Sequence, residues 1–151
     1  MPLALVTGAT GQVGSYIVER LRADGWHSRA LVRTPAAAEW LAAEGVELAR
    51  GDVLDAASFR DAAAGCDAIF HAAAAVTARG GWEFYRESNV GGTRNAIDAA
   101  AASGARLLQV SSVAVYGGAA RYRDRPTDES TPLAPLPEKH SVRPKDSPTG
   151  R

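Results

Sequence analysis

Thr7, Gly8, Gly11 and Gly14 belong to the stretch Thr7-Gly8-Ala9-Thr10-Gly11-Gln12-Val13-Gly14, directly behind the short apolar run Leu3-Ala4-Leu5-Val6. A buried strand that turns through glycines into a helix offers free backbone N–H groups and the positive end of a helix dipole. A pyrophosphate can approach such a turn closely only where no side chain blocks it. Val13, Ile17 and Leu21 recur at i, i+4 and i+8 and predict the helix, with Arg20 and Asp24 outward and Gly25 as its cap. The alternative is a glycine-rich turn that serves only the packing of helix on strand.

The elements that must hold this turn alternate along the chain. Ser28 to Val32 reads as a second strand and Ala36 to Ala43 as a short helix; Val46 to Ala49 is a third strand and Ala56 to Ala64 a helix ended by Gly65. Asp67 to His71 is a fourth strand. Trp82 to Ala102 is a long alanine-rich helix with Val90 and Ile97 on one side, closed by Gly104, and Arg106 to Ser111 is a fifth strand. Alternating strands and helices imply parallel pairing through right-handed crossovers. The expected fold is therefore α/β: a doubly wound, Rossmann-like parallel sheet of order 3-2-1-4-5, with helices on both faces. From Gly117 the pattern stops, and six of the eight prolines fall between Pro126 and Pro148. The reading divides the chain into a partial domain over 1–117 and a Pro-rich loop or tail over 118–151.

With 151 residues the chain is large enough for one domain with a real core and too short for two substantial ones. Lys+Arg and Asp+Glu balance at 17 each, which removes any charge argument for nucleic acid or an anionic membrane. The one cysteine, Cys66, excludes an internal disulfide and fits a reducing cytoplasm as a buried structural thiol. No leader is visible ahead of the first strand, and no apolar stretch is long enough to span a bilayer. The expectation is a cytoplasmic domain without a metal site.

The spacing T-G-x-x-G-x-x-G resembles the N-terminal signature of the short-chain dehydrogenase/reductase superfamily, especially its extended branch of epimerases, dehydratases and reductases. His71-Ala72-Ala73-Ala74 is similar to that branch's H-x-A-x loop, Asn89-Val90-Gly91-Gly92-Thr93 to its N-V-x-G-T element, and Ser111-Ser112-Val113-Ala114-Val115-Tyr116-Gly117 to its S-S-x-x-V-Y-G stretch. The resemblance implies a dinucleotide cofactor held by Thr7, Gly8, Gly11, Gln12, Val13 and Gly14. It implies further that Asp52 and Val53 face the adenine, and that Ala72, Ala73 and Ala74 let the backbone pass close to ribose and nicotinamide. Asn89 would tie the long helix to that loop. Asp52 or Asp55 serves equally as a cap for the next helix. His71 is assigned no chemistry: at the end of a buried strand it reads as a structural hydrogen-bonder.

Cofactor choice is written at the end of the second strand. A carboxylate there accepts from the ribose 2′-OH of NAD and repels the 2′-phosphate of NADP. This chain has Ala30-Leu31-Val32-Arg33 instead, with Arg33 19 residues beyond Gly14. Arg33 is suited to charge-assisted bonds with a phosphate, so NADP is expected over NAD. Its alternative is an ordinary solvated arginine.

Ser112 matches the family's catalytic Ser/Thr, which hydrogen-bonds the substrate oxygen; its alternative is a serine capping a turn. The family's catalytic tyrosine, paired with a lysine four residues on, corresponds to Thr149, and the lysine falls past Arg151. A threonine hydroxyl is far too weak an acid to replace a phenol near neutral pH. Pro126, Glu129 and Pro132 carry the resemblance only loosely. The sequence thus reads as the NAD(P)-binding portion of an oxidoreductase that exchanges hydride between nicotinamide and a secondary alcohol or ketone. In that reading it is C-terminally truncated, inactive alone, and cut from a homodimeric parent acting on a small molecule. The alternatives are a non-catalytic NADP(H)-binding regulatory module and a degenerate fragment.

Overall fold

The computed structural model describes residues 1–76, 81–117 and 127–134. The chain forms two units, Met1–Val110 and Ser111–Arg151. Five strands make the first unit's sheet: β1 (Leu3–Thr7), β2 (His27–Val32), β3 (Glu47–Arg50), β4 (Ala68–His71) and β5 (Arg106–Gln109). All pairings are parallel and the order is β3-β2-β1-β4-β5, as the alternation predicts. Strand β1 lies at the centre, with Thr7 in register with Leu31 on one side and His71 on the other.

Both faces of the sheet are covered, which is why β1 is apolar from Leu3 to Val6 rather than alternating. On one face Ala4, Val6, Ala30 and Val32 pack with Val18 and Leu21 of α1 (Gln12–Ala23) and Leu41 of α2 (Glu39–Ala43). On the other, Leu5, Leu31 and Ile69 pack with Phe59, Ala62 and Ala63 of α3 (Ala56–Ala63). Ala96, Ala99 and Ala100 of α5 (Gly92–Ser103) complete that layer. Ahead of α2, Pro35–Ala38 form a 3-10 turn. Helix α1 closes at Gly25, where the Trp26 N–H donates to the Leu21 carbonyl at 2.9 Å.

Two helix faces differ from those the apolar periodicity predicts. In α1 the buried residues are Gly14, Val18 and Leu21, while Val13 is 52% exposed. The face is set by Gly14, which must press against the backbone of Gly8 and so turns Val13 to solvent. The expected long helix is in fact a short α4 (Trp82–Tyr85), a wide π-type turn (Arg86–Gly91) and then α5. Its buried side is Gly92, Ala96, Ala99 and Ala100, whereas Ile97 is 51% exposed and Val90 is exposed too. Small residues win the inner face because α5 lies close against α3. The fifth strand also stops at Gln109 rather than Ser111.

In the second unit Val113–Tyr116 form a 3-10 turn. The Ala134 N–H donates to the Val115 carbonyl at 2.9 Å, and the Asp128 carboxylate accepts from the Ser130 N–H (3.0 Å) and hydroxyl (2.6 Å).

Candidate functional site

The sheet order reverses at β1: β2 and β3 lie to one side, β4 and β5 to the other. A crevice opens outside the carboxyl ends of the strands at such a point, and ligands of open α/β sheets bind there. The glycine turn stands on one side of this crevice and the loop after β4 on the other.

Gly8 has φ +70°, a conformation that L side chains rarely adopt, and a Cβ on it would lie 2.8 Å from the Ala73 nitrogen. A Cβ on Gly14 would lie 2.8 Å from the Ala9 Cα and closer still to the Gly8 carbonyl. The turn is tightened by a bond from the Gly11 N–H to the Gly8 carbonyl at 2.9 Å. Helix α1 starts at Gln12 with no side-chain cap and no acidic residue in its first turn. Gly11, Gln12 and Val13 are exposed. An uncapped helix start with a bare backbone in front of it suits an anion.

Thr7 is fully buried, and it joins the two sides. Its carbonyl accepts from the Ala72 N–H at 3.3 Å and its hydroxyl oxygen from the Ala73 N–H at 3.2 Å. The same hydroxyl is 2.7 Å from His71 Nδ1. Burial holds the His71 pKa below its ordinary value. Ala72 and Ala73 are half-buried and Ala74 is exposed. The loop is anchored from the far side by Asn89, within the wide turn. The Ala75 N–H donates to Asn89 Oδ1 at 2.7 Å, and Asn89 Nδ2 donates to the Ala75 carbonyl at 3.1 Å. The Thr93 hydroxyl donates to the Asn89 carbonyl at 2.7 Å. Such turns recur where a helix must present a particular residue.

At the end of β3, Asp52 and Val53 are half-buried. Asp52 Oδ1 accepts from the Leu54 N–H at 3.0 Å, and Asn95 of α5 donates to the Val53 carbonyl at 2.8 Å. Asp55, not Asp52, caps α3, its Oδ1 accepting from the Ala57 N–H at 3.1 Å. Arg33 is exposed just past the end of β2. Arg29 is bound elsewhere: it donates to the Ala62 carbonyl (2.7 Å) and the Ala64 carbonyl (2.9 Å) and pairs with Glu47 (2.8 Å). Cys66 is buried, and burial pushes its thiol pKa up.

In the second unit Ser112 is exposed and caps the turn Val113–Tyr116, its hydroxyl oxygen accepting from the Ala114 N–H at 3.2 Å. Thr149 and Pro126 lie outside the described residues. The pairing of Thr7 with His71 escapes sequence reading, because only the register of β1 on β4 puts them side by side. The same holds for Asn95 on Val53. Among the described residues no His, Cys, Asp and Glu group is placed to hold a metal ion, and no helix is long and apolar enough to cross a membrane.

The fold is thus a doubly wound, Rossmann-like domain with a glycine turn at its switch point. Residues 4–141 match the model of the NAD dependent epimerase/dehydratase family, and the chain belongs to that family. It is 40% identical over 145 residues to a cinnamoyl-CoA reductase 1 of Oryza sativa subsp. japonica, covering 85% of this chain and 40% of the relative. Among solved structures it is similar to a short-chain dehydrogenase/reductase superfamily protein of Agrobacterium tumefaciens with bound NAD. That match has 31% identity, a TM-score of 0.66, and covers 88% of this chain and 39% of the other. It is also similar to a dTDP-glucose 4,6-dehydratase of Streptomyces venezuelae with NAD bound (29% identity, TM-score 0.72, 88% of this chain and 45% of the other). The chain spans two-fifths or less of the length of the curated relatives it matches, and about a third of some of them.

Proposed function

We propose that these residues form the NAD(P)-binding domain of an oxidoreductase of the epimerase/dehydratase/reductase type. The observation that carries this reading is the meeting of Gly8 with Ala73 across the switch point, beside an uncapped helix start. That contact leaves no room for a Cβ on Gly8 and fixes the turn in front of the uncapped helix start, whose bare backbone suits a pyrophosphate. Gly8, Gly11, Gln12 and Val13 face the phosphates, and Gly14 instead packs the helix start against the Gly8 backbone. Asp52 and Val53 face the adenine, and Ala72 to Ala74 the ribose and nicotinamide. Thr7 and Asn89 hold the two sides in place. When bound, the cofactor supplies hydride exchange with a secondary alcohol or ketone. The exposed guanidinium of Arg33 favours NADP over NAD by pairing with a 2′-phosphate. Trp82, Phe84, Val90 and Ile97 are each exposed, which supports a homodimer of the full-length parent through this helical segment.

We further propose that these 151 residues bind the dinucleotide without turning over a substrate. Ser112 supplies a hydroxyl to a substrate oxygen, but Thr149 stands at the tyrosine position, and a threonine hydroxyl is far too weak an acid to replace a phenol. The same observation favours a second reading, a non-catalytic module that senses NADP(H). Titration with NADPH and NADH, followed by cofactor fluorescence, tests binding. Saturable NADPH binding with no reduction of a broad carbonyl panel is expected. No binding by folded protein would overturn both readings, and turnover well above background would overturn the second.

A further inference from the structure

Three polar groups meet where β1 and β4 end. The Ala73 N–H donates to Thr7 Oγ1, and that oxygen lies 2.7 Å from His71 Nδ1. A hydroxyl has one proton to give. If it goes to an unprotonated Nδ1, the ring proton sits on Nε2, and the one orphaned group is Nε2, which has no hydrogen-bond partner. If instead Nδ1 carries the proton, the hydroxyl proton of a fully buried threonine loses its acceptor while Nε2 stays unpartnered. Fewer buried orphans favour the first arrangement. The ring's further neighbours are Phe59 of α3, with ring centres 5.9 Å apart, and Gly92 at the start of α5, where a Cβ would lie 3.9 Å from Nε2. Thr7, Phe59 and Gly92 are all uncharged and none titrates near neutral pH.

We propose that His71, neutral and protonated on Nε2, is a positioning residue for dinucleotide binding. It orients the Thr7 hydroxyl that holds Ala73 against Gly8. The proposal rests on the dinucleotide reading above. Protonating Nδ1 turns an acceptor into a donor, so Thr7 Oγ1 faces two donors and its own proton is stranded. The charged ring then sits against Phe59 without a counter-charge. The Ala73 bond weakens, the two walls of the cradle loosen, and affinity falls. Burial lowers the pKa of His71, so this loss comes below its ordinary value of 6.5.

The test joins histidine ¹⁵N spectra of the whole chain with NADPH titrations from about pH 7.5 to about pH 5.5. At the upper end the His71 Nδ1 should carry no proton and Nε2 should carry one. Wild-type affinity should fall along the His71 titration curve. His71→Asn sets its amide near the Nδ1 position and should keep affinity within about threefold, with a flat pH profile. His71→Gln sets its amide near Nε2 and should lose about tenfold, the size of one lost hydrogen bond. A protonated Nδ1 at the upper end, or wild-type affinity that ignores the His71 titration, would overturn the proposal even if neither variant folds. Folded variants that both bind like wild type at every pH would overturn it too. No NADPH binding by wild type at any pH would take down the dinucleotide reading along with it, whereas the other failures leave that reading standing.

Discussion

Asn89 and Ala75 exchange two hydrogen bonds, one accepted and one donated by the same side-chain amide, at 2.7 and 3.1 Å. An amide is the one short side chain that both accepts and donates at this spacing. The loop after β4 is thereby fixed to the wide turn Arg86–Gly91, which breaks the helical ladder to bring Asn89 there. Asn89→Ala removes both bonds and leaves half-buried backbone groups of Ala75 unpaired, at about 1–3 kcal/mol. Asn89→Asp keeps the acceptor but sets an oxygen against the Ala75 carbonyl. Both variants should lower the unfolding midpoint and weaken NADPH binding. An unchanged urea midpoint in both would show that the loop is held by other means.

Gly14 and Gly25 give a controlled comparison of two glycine requirements. A Cβ at Gly14 would run into the Gly8 backbone, which cannot move without opening the turn. Gly25 needs only its positive φ, +78°, with nothing within 4 Å of a Cβ. Gly25→Ala should cost about 1 kcal/mol of stability and leave affinity unchanged. Gly14→Ala should cost about 1–3 kcal/mol through overpacking and also abolish NADPH binding. Equal affinities in the two variants would remove the turn from the binding site.

The sheet order was legible because five short apolar runs alternate with helical segments, and parallel crossovers leave few topologies. Segment lengths in the long helix were not legible: Val90 and Ile97 suggested an apolar face, yet close packing on α3 gave the inner side to Ala96, Ala99 and Ala100. The glycine turn follows from local spacing and could be read, and the Asn89 tether came from the resemblance of Asn89–Thr93 to the family's N-V-x-G-T element. The Thr7–His71 pair could not, since the two residues are 64 apart and meet only through strand register.

Variants of Arg33 and Arg29 test cofactor choice apart from stability. Arg33 is exposed at the end of β2, while Arg29 is bound to the Ala62 and Ala64 carbonyls and to Glu47. Arg33→Asp should weaken NADPH by about tenfold or more relative to NADH, the scale of one charge-assisted bond. Arg29→Ala should lower the unfolding midpoint without changing the NADPH to NADH ratio. An unaltered ratio in Arg33→Asp would assign the 2′ position to other residues.

Cys66 should behave as an inert thiol. It is buried, donates weakly to the Ala62 carbonyl at 3.6 Å, and burial outweighs the nearby Arg29 in setting its pKa. A thiol whose pKa is raised holds little thiolate at neutral pH. A disulfide reagent should therefore react slowly with folded protein and release one equivalent promptly in denaturant. Prompt reaction in the folded state would place Cys66 at an accessible surface.

Stability should rise with pH across the window set by His71. Burial lowers its folded pKa, so between that lowered value and the ordinary 6.5 the unfolded chain binds more protons than the folded one. Unfolding free energy then increases with pH by at most about 1.4 kcal/mol per pH unit for this one group. Above 6.5 both states are neutral and the contribution is complete; acidification through 6.5 erodes it. Urea unfolding of wild type and His71→Gln in parallel isolates this share from the carboxylates and the other two histidines. The wild type should be steeper than the variant as pH falls below about 6.5, and parallel to it above. Parallel curves throughout would show that His71 takes up its proton equally in both states and that its burial does not lower its pKa.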